Sequence, residues 1–204
     1  MSDGLSTLVA TCRHRDEIKR SRFLAIACPV ASSEQARSFV REVADLDATH
    51  NCWAYRIGRD YRFSDDGEPG GTAGRPILQA IESQDVDGVV VVVTRWYGGI
   101  KLGAGGLARA YGGTAAECLR QAERVPIVAM ASFVVQADFA ELALLKARLT
   151  EFGSEVEHEE FGVGGVTMRV RAPASRAQEF TRLVSNLTRG RSTPRRLDGA
   201  LPAD

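Results

Sequence analysis

The stretch VVVVVTRWYGGIKLGAGGLARAYGGTAAE, residues 89–117, decides the fold of the first half of the chain. Five consecutive valines, Val89–Val93, indicate a strand that is covered on both faces, and such a strand lies in the interior of its sheet. A glycine-rich turn then leads into a helix predicted over residues 107–122. Adjacent Gly112 and Gly113 inside that helix cost on the order of 2 kcal/mol relative to alanine. We therefore expect another backbone to pack closely against them.

Working outward from this stretch, the hydrophobic pattern predicts an α+β chain of two domains, residues 1–124 and 125–204, with the boundary at Val125-Pro126. The first domain is expected to follow the order β-β-α-β-loop-α-β-loop-α. Ser32 and Gln35 predict a capping box for its first helix, with an apolar face that extends to Leu46. The other predicted elements of this domain are strands at 8–14, 23–30 and 50–58 and a short helix that begins near Pro76.

The second domain is expected to follow the order βαββαβ, which is typical of the ferredoxin-like arrangement. Asp138 with Glu141 is expected to cap its first helix. The predicted strands cover 127–136, 154–161, 166–172 and 192–198, and the predicted helices cover 138–152 and 175–188.

The composition disfavours a protein that coats nucleic acid. The chain has 204 residues, of which 44% are hydrophobic, and its 26 basic residues balance its 26 acidic residues. The balance holds within each domain, with sixteen charges of each sign in residues 1–124 and ten of each in residues 125–204. A protein that covers long nucleic acids by charge usually has a basic excess. Any nucleic-acid contact is therefore expected to be small and confined to a site.

The cysteines and the N-terminal sequence predict a cytoplasmic protein with reduced thiols and no cofactor. The four cysteines show no C-x-x-C spacing, and with three histidines in the chain no structural zinc site is evident. The first residues lack the basic and apolar segments of a signal peptide. The longest apolar stretches are too short to span a bilayer, so we expect no membrane partner.

The glycine-rich turn has two interpretations. It could bind an anion, because backbone N–H groups and a helix N-terminus approach a phosphate closely in such turns. Alternatively, the glycines only make a tight turn with positive φ angles, and the residues alone favour this second interpretation because no phosphate-loop or dinucleotide pattern is present. The candidate anion-binding residues are Arg95, Lys101, Gly103, Gly105, Gly106 and Arg109.

The loop SDDGEPGGTAG, residues 64–74, clusters three carboxylates. Such a cluster can bind a hard cation or act in acid–base chemistry. Alternatively, the aspartates are ordinary turn residues whose side chains accept hydrogen bonds from nearby backbone N–H groups, and this interpretation is favoured. The cluster could also hold an arginine such as Arg95 or Arg109. No metal site and no catalytic residue is predicted. The candidate residues of this face are His50, Asn51, Asp65, Asp66, Glu68 and Thr72.

Arginines crowd the C-terminal end, and an acidic run lies at 155–160. The arginines could contact a phosphate backbone, or they could pair with the acidic run across neighbouring strands, and both alternatives stay open. The candidate nucleic-acid contacts are Arg182, Arg189, Arg191, Arg195 and Arg196. Aromatic residues beside the polar loops, among them Trp96 and Tyr97, could stack on bases or pack at the rim of the core.

Three segments in order, HNCWAYRIG at 50–58, SDDGEPGGTAG at 64–74 and VVVTRWYGGIKLGAGGLARAYG at 91–112, resemble the signature of the IMPACT/YigZ family. The resemblance covers about residues 20–122. It implies a first domain like domain 2 of ribosomal protein S5. The last 80 or so residues resemble the ferredoxin-like domain of bacterial YigZ-type members, which is similar to domain V of elongation factor G. Two departures are visible: Gly70 stands where the family usually has serine, and Trp96-Tyr97 replaces the usual aromatic pair.

The resemblance implies a non-enzymatic regulator associated with translation, because eukaryotic IMPACT proteins are translational regulators. The expected partners are RNA, the ribosome or a translation-linked protein, an inference from fold analogy. The partner of the eukaryotic proteins is not carried over, because the chain lacks their additional N-terminal domain. The alternative is an enzyme or sensor that binds a phosphorylated small molecule at the glycine-rich loop, with a metal at the Asp65–Glu68 loop.

Overall fold

The computed structural model of the chain describes residues 4–197 and has an α+β fold, as the sequence predicts. The chain separates into two compact units that divide between Ile127 and Val128. No helix within the described residues is long and apolar enough to cross a membrane.

In chain order the strands of the first unit are β1 (Ser6–Leu8), β2 (Cys12–Ile18), β3 (Ser21–Pro29), β4 (His50–Ile57), β5 (Asp60–Ser64), β6 (Val89–Trp96) and β7 (Arg124–Pro126). Five of them form an antiparallel sheet with the strand order β2-β3-β6-β4-β5. The valine-rich strand β6 is the middle strand, which confirms its predicted interior position. A separate two-stranded antiparallel sheet joins β1 to β7.

Helices cover both faces of this sheet. Helix α1 (Ser33–Val43) packs on one face, and α2 (Gly74–Glu82) and α3 (Ala104–Gln121) pack on the other. Because side chains alternate along a strand, Val90 and Val92 face α1, while the other valines of β6 enter the larger core with α2 and α3. Every valine of the run is completely buried.

Several local predictions for the first unit needed correction. The predicted strand at 8–14 is two strands, β1 and β2, and the exposed strand β5 was missed. The Ser32 side chain caps α1 as expected by accepting a hydrogen bond from the Gln35 N–H at 3.2 Å. Leu46 does not belong to the apolar face, since α1 ends at Val43 and Leu46 is 97% exposed.

The paired glycines in α3 differ in their surroundings. A Cβ atom on Gly112 would lie 3.4 Å from the carbonyl oxygen of Pro76, which confirms the expected close approach of another backbone. At Gly113, no heavy atom of the described chain lies within 4 Å of such a Cβ atom. The backbone of α2 therefore lies in van der Waals contact with the first glycine, and nothing in the structure explains the second.

In chain order the elements of the second unit are β8 (Met130–Ala137), α4 (Phe139–Glu151), β9 (Glu155–Gly162), β10 (Gly165–Pro173), α5 (Ala177–Leu187) and β11 (Arg195–Arg196). The sheet has the strand order β11-β8-β10-β9, which is that of the ferredoxin-like βαββαβ fold. The core of this unit lies between one face of the sheet and the two helices.

Asp138 occupies the N-cap position of α4, but its side chain accepts no capping hydrogen bond within the described residues. Its carboxylate instead lies 3.3 Å from Nε of Arg191. The predicted capping by Asp138 and Glu141 is therefore wrong, because a distant arginine takes up the carboxylate. The last predicted strand, 192–198, is also shorter than expected, and its final residue lies outside the described residues.

Candidate functional site

A buried ion pair stands where β6 ends. The antiparallel register places Arg95 of β6 opposite His50 of β4. The Arg95 guanidinium donates to Oε1 of Glu68 at 2.6 Å, and both side chains are almost fully buried. The hydroxyl of Tyr111, from α3, donates to the same oxygen at 2.7 Å. Burial raises the pKa of Tyr111, so its hydroxyl keeps the proton that it donates.

Among the described residues, the Arg95 side chain makes one further hydrogen bond, from Nη2 to Oγ of Ser21 at 3.3 Å. Its Nε–H is buried and has no acceptor among the described residues. Buried donors are nearly always satisfied in proteins, so such a group points to a water or an anion that completes its hydrogen bonding. Two aromatic rings flank the guanidinium, Phe23 at 5.6 Å and Tyr97 at 5.4 Å from its central carbon.

His50 has a fixed orientation. Its Nδ1 lies 2.6 Å from the carbonyl oxygen of Asp66, and because a carbonyl can only accept, Nδ1 carries the hydrogen. In the neutral ring, Nε2 is then the acceptor, and it lies 3.8 Å from Oε1 of Glu68. The ring is therefore held by the loop at 64–74, with its free nitrogen toward the buried ion pair.

The aspartates of that loop are occupied by backbone donors. Oδ1 of Asp65 accepts from the N–H groups of Ala73 and Gly74 at 2.9 and 2.8 Å, and Oδ2 accepts from Gly71 at 2.8 Å. Burial raises the pKa of Asp65, but these three N–H donors outweigh it and hold that pKa below its usual value. Asp65 therefore fixes the start of α2.

The remaining polar residues of the loop, and Asn51 of strand β4 beside it, are also held by hydrogen bonds within the chain. Asp66 accepts from the Asn51 N–H at 2.6 Å, and the Thr72 hydroxyl donates to the Pro69 carbonyl at 2.6 Å. The Asn51 side chain bonds to the backbone of Asp45 and to the hydroxyl of Thr94. Residues 4–197 contain no group of three or more side chains arranged to hold a metal ion. These contacts favour a role of the two aspartates in shaping the turn, while Glu68 holds Arg95.

Tight backbone packing explains part of the glycine-rich turn. A Cβ atom on Gly98 would lie 1.9 Å from the carbonyl oxygen of Arg20, so only glycine fits. Gly103 has a φ of 73°, in the left-handed region, and is the N-cap of α3. No side chain in the described residues caps this helix, whose first turn reads Ala-Gly-Gly-Leu. The first N–H groups of α3 therefore stay available to an anion.

A pocket of about 390 Å³ opens at this helix start, and we call it the α3 pocket. It brings together two of the predicted cations, Arg95 and Lys101, with the predicted Gly103, His50 and Glu68. Gly105 and Gly106 follow in the first turn of α3. The pocket is lined by Thr49, His50, Glu68, Pro69, Arg95, Tyr97, Lys101, Leu102, Gly103, Ala104 and Leu107.

Arg109 lies apart from the α3 pocket. It lines a shallower groove with Pro76 and Gly112, on the side of α3 that faces α2. Tyr111 and Ser21, the other partners of the ion pair, are not among the predicted site residues. For Tyr111 a signal was present, since it follows Leu107 by four residues on one face of the predicted helix, and a buried tyrosine hydroxyl normally needs a hydrogen-bond partner.

The C-terminal arginines do not form one surface with the acidic run. Strands β9 and β11 lie at opposite edges of the sheet, so the alternative in which the arginines pair with the acidic run across neighbouring strands does not hold. The acidic strand instead faces other cations: Glu155 and Glu157 lie near Arg171, and Glu159 pairs with Lys146 at 2.6 Å.

Arg191 forms ion pairs with Asp138 and Glu141 across the start of α4. Arg182 and Arg189 are exposed on and after α5, and Arg195 and Arg196 form the short edge strand β11. The predicted arginines therefore spread over α5, the following turn and the sheet edge.

Two family models match the chain. One, described as the Impact N-terminal domain, matches residues 19–119, which include the whole α3 pocket. The other, described as a domain of unknown function, matches residues 135–191 in the second unit.

Proteins similar to this chain carry the same family name. An "IMPACT family member in pol 5'region" from Thermus thermophilus is 47% identical over 85% of this chain and 97% of its own length. The "IMPACT family member YigZ" of Escherichia coli is 35% identical over 86% of this chain and 89% of its own. "Protein IMPACT" of Xenopus laevis is 40% identical, over 42% of this chain and 30% of its own.

A solved structure titled as a hypothetical protein superposes with a TM-score of 0.75 at 31% identity, and the match covers 98% of this chain and all of that one. The similarity thus extends over both units. The two family models and the near full-length bacterial relatives together show that the chain belongs to the IMPACT family.

Proposed function

We propose that this chain is a non-enzymatic, cytoplasmic, translation-associated binding protein that holds a phosphate group of RNA in the α3 pocket. The observation that carries the proposal is the convergence of Lys101 and the uncapped start of α3 on one concave site. A helix N-terminus and a lysine are recurrent phosphate-binding groups because both offer N–H donors and positive charge.

The charge balance of the α3 pocket favours an anion. The carboxylate of Glu68 is neutralised locally by the Arg95 guanidinium at 2.6 Å. The ammonium of Lys101 is exposed, and the helix end adds about half a positive charge. The site is therefore positive within a unit whose overall charge is balanced, which matches the expectation of a small, local contact.

The wall of the α3 pocket suits the rest of a nucleotide. Tyr97 is 45% exposed, so part of its ring remains open to a base, and Pro69 and Leu102 extend the apolar surface. Bases stack on exposed aromatic rings without sequence preference. The volume of about 390 Å³ suits one nucleotide and not a duplex, and it falls within the range of about 300–1,000 Å³ found for small-ligand sites.

The family supports a link to translation, since the resemblance to IMPACT proteins implies a regulator that acts there. RNA is the partner that the α3 pocket favours, and the ribosome is the largest source of accessible RNA. A translation-linked protein is the other partner that the resemblance implies, and nuclease treatment distinguishes it from RNA.

Co-sedimentation with ribosomes from the native lysate tests the proposal. The full chain is expected to sediment with ribosomes at low salt and to be released at high salt, because phosphate contacts are weakened by counterions. Nuclease treatment is expected to abolish the association. Lys101→Ala should weaken the association by at least about tenfold, because a hydrogen bond to a charged group contributes about 1.5–3 kcal/mol.

Lys146→Ala is the matched control, because it removes one lysine of the second unit that is engaged with Glu159. It should leave the bound fraction unchanged. A complex that resists nuclease and is insensitive to Lys101→Ala would instead indicate a protein partner and overturn the RNA proposal.

A second candidate function is an enzyme or sensor for a phosphorylated small molecule, and the concave shape and size of the α3 pocket favour it. The metal that this alternative placed at the loop has no support in the contacts of Asp65, Asp66 and Glu68, which are all engaged by protein donors. A thermal-shift series with inorganic phosphate and nucleoside monophosphates distinguishes the two functions. A shift with these ligands, lost in Lys101→Ala, together with no binding of RNA, would support the second candidate.

A further inference from the structure

Two cysteines that are far apart in sequence bring their thiols together in the first unit. Cys12 lies on the edge strand β2, and Cys118 lies near the end of α3, with their sulfur atoms 3.5 Å apart. Cys118 is completely buried, whereas Cys12 is partly exposed. The pair is distant from the start of α3 and does not line the α3 pocket.

The two thiols differ in acidity. The hydrogen bond between the two thiols lowers the pKa of Cys12 to about 7, against the opposing effect of burial. The same hydrogen bond, together with burial, raises the pKa of Cys118. Cys12 is thus the better nucleophile and Cys118 is the proton donor beside it, a division of roles that is typical of reactive dithiols.

We propose that Cys12 and Cys118 form an intramolecular disulfide when the protein meets a peroxide. The Cys12 thiolate attacks one oxygen of hydrogen peroxide, the O–O bond breaks, and hydroxide leaves and takes up a proton as water. The Cys12 sulfur is now a sulfenic acid. The Cys118 sulfur attacks it, the S–O bond breaks, and the departing hydroxide takes the Cys118 proton as a second water. The two thiols lose two electrons in total, and the peroxide gains them.

The geometry permits this bond with little movement. A disulfide has an S–S distance of about 2.05 Å, so from 3.5 Å the sulfur atoms need to approach by about 1.5 Å. Cys12 is partly exposed on an edge strand, so its side chain has room for such a shift. The bond would fasten the edge strand β2 to α3 and close a loop over a sequence separation of 106 residues.

The other two cysteines serve as internal controls. The Cys52 thiol donates to the Asp65 carbonyl at 3.0 Å, and burial raises its pKa to about 12. The Cys28 thiol contacts its own neighbour, the Pro29 carbonyl, at 3.4 Å. Neither thiol has another cysteine as a hydrogen-bond partner among the described residues.

Peptide mapping after controlled oxidation tests the proposal. The full chain is reduced, freed of reductant, treated with one equivalent of hydrogen peroxide, alkylated and digested with trypsin without reduction. The expected product is the peptide ending at Arg13 joined to the peptide ending at Arg120, with a mass two hydrogens below their sum. The count of free thiols should fall from four to two.

Two variants complete the test. In Cys118→Ser, oxidation should stop at the Cys12 sulfenic acid, which dimedone traps, and in Cys28→Ser the cross-linked peptide should form as in the natural chain. Four free thiols after peroxide treatment of the natural chain would overturn the proposal, as would disulfides that join Cys28, Cys52 or two separate chains as readily. The mapping of the natural chain decides the question even if a variant fails to fold.

Discussion

Replacing Glu68 by alanine should sharply destabilise the first unit. Its side chain is 4% exposed, and one of its oxygens accepts from Arg95 at 2.6 Å and from Tyr111 at 2.7 Å. Glu68→Ala leaves the guanidinium buried without a counter-charge and the tyrosine hydroxyl without its acceptor. Removing one partner of a buried ion pair costs about 3–5 kcal/mol. That is a large part of the stability of a domain of this size.

Urea unfolding followed by tryptophan fluorescence measures this effect. Both tryptophans of the chain, Trp53 and Trp96, lie in the first unit, so the signal reports the unfolding of that unit. With a dependence of about 2 kcal/mol per molar urea, the midpoint should fall by about 1.5–2.5 M. Glu68→Gln keeps an acceptor of similar shape but loses the charge, so its midpoint should fall by less.

Glu117→Ala is the control for removing a carboxylate from an ion pair. Glu117 pairs with Arg120 on the exposed surface of α3, where solvent screens the charges. Its midpoint should match that of the natural chain. If Glu68→Ala also unfolds within about 0.3 M of the natural chain, the pair is not a buried, coupled pair and the reasoning fails.

Two further predictions concern the backbone around the site. Gly98→Ala should strongly lower the urea midpoint of the first unit, because its Cβ atom would lie 1.9 Å from the Arg20 carbonyl oxygen. Gly70→Ala should leave the midpoint unchanged, since no heavy atom of the described chain lies within 4 Å of a Cβ atom built there. Equal midpoints for the two variants would contradict this packing. Asp65→Asn should destabilise the unit at neutral pH, because the ionised Asp65 carboxylate is stabilised in the folded protein, as its lowered pKa shows. This contribution to stability is complete at pH values above the ordinary pKa near 3.8, and it disappears as the pH falls through the lower pKa of the folded state. The difference in urea midpoint between Asp65→Asn and the natural chain should therefore shrink on acidification, and a constant difference would argue against the backbone hydrogen bonds as its cause.

The valine run and the flanking amphipathic patterns predicted most of the fold. Val89–Val93 has no polar position, so both of its faces must be covered, and the structure places it in the middle of the sheet. Strand β5 was missed although Tyr61 and Phe63 alternate with polar residues, because the strand is only five residues long and its residues at 60–63 are all exposed. Helix α1 was predicted to extend too far, because Leu46 continues the helical spacing of apolar residues whereas the helix ends at Val43.

The candidate site was harder to predict, because its contacts join residues that are far apart in the sequence. The sequence showed carboxylates and arginines near glycine-rich turns, and it left open whether Glu68 or its neighbours would hold Arg95 or Arg109. The register of β4 against β6 decides this, because it places His50 and Arg95 side by side, beside the loop that carries Glu68. In the second unit, Asp138 had the local pattern of a cap, but an arginine 53 positions later competes successfully for it.

The salt dependence of RNA binding by the full chain tests the central claim most directly. Fluorescence anisotropy with a short labelled single-stranded RNA gives the slope of log K against log salt, which is about −0.7 for each phosphate neutralised. We expect a slope that corresponds to about one or two phosphates, and a slope smaller in magnitude by about 0.7 for Lys101→Ala. Identical affinities and slopes for the natural chain and Lys101→Ala would show that the α3 pocket does not hold a phosphate.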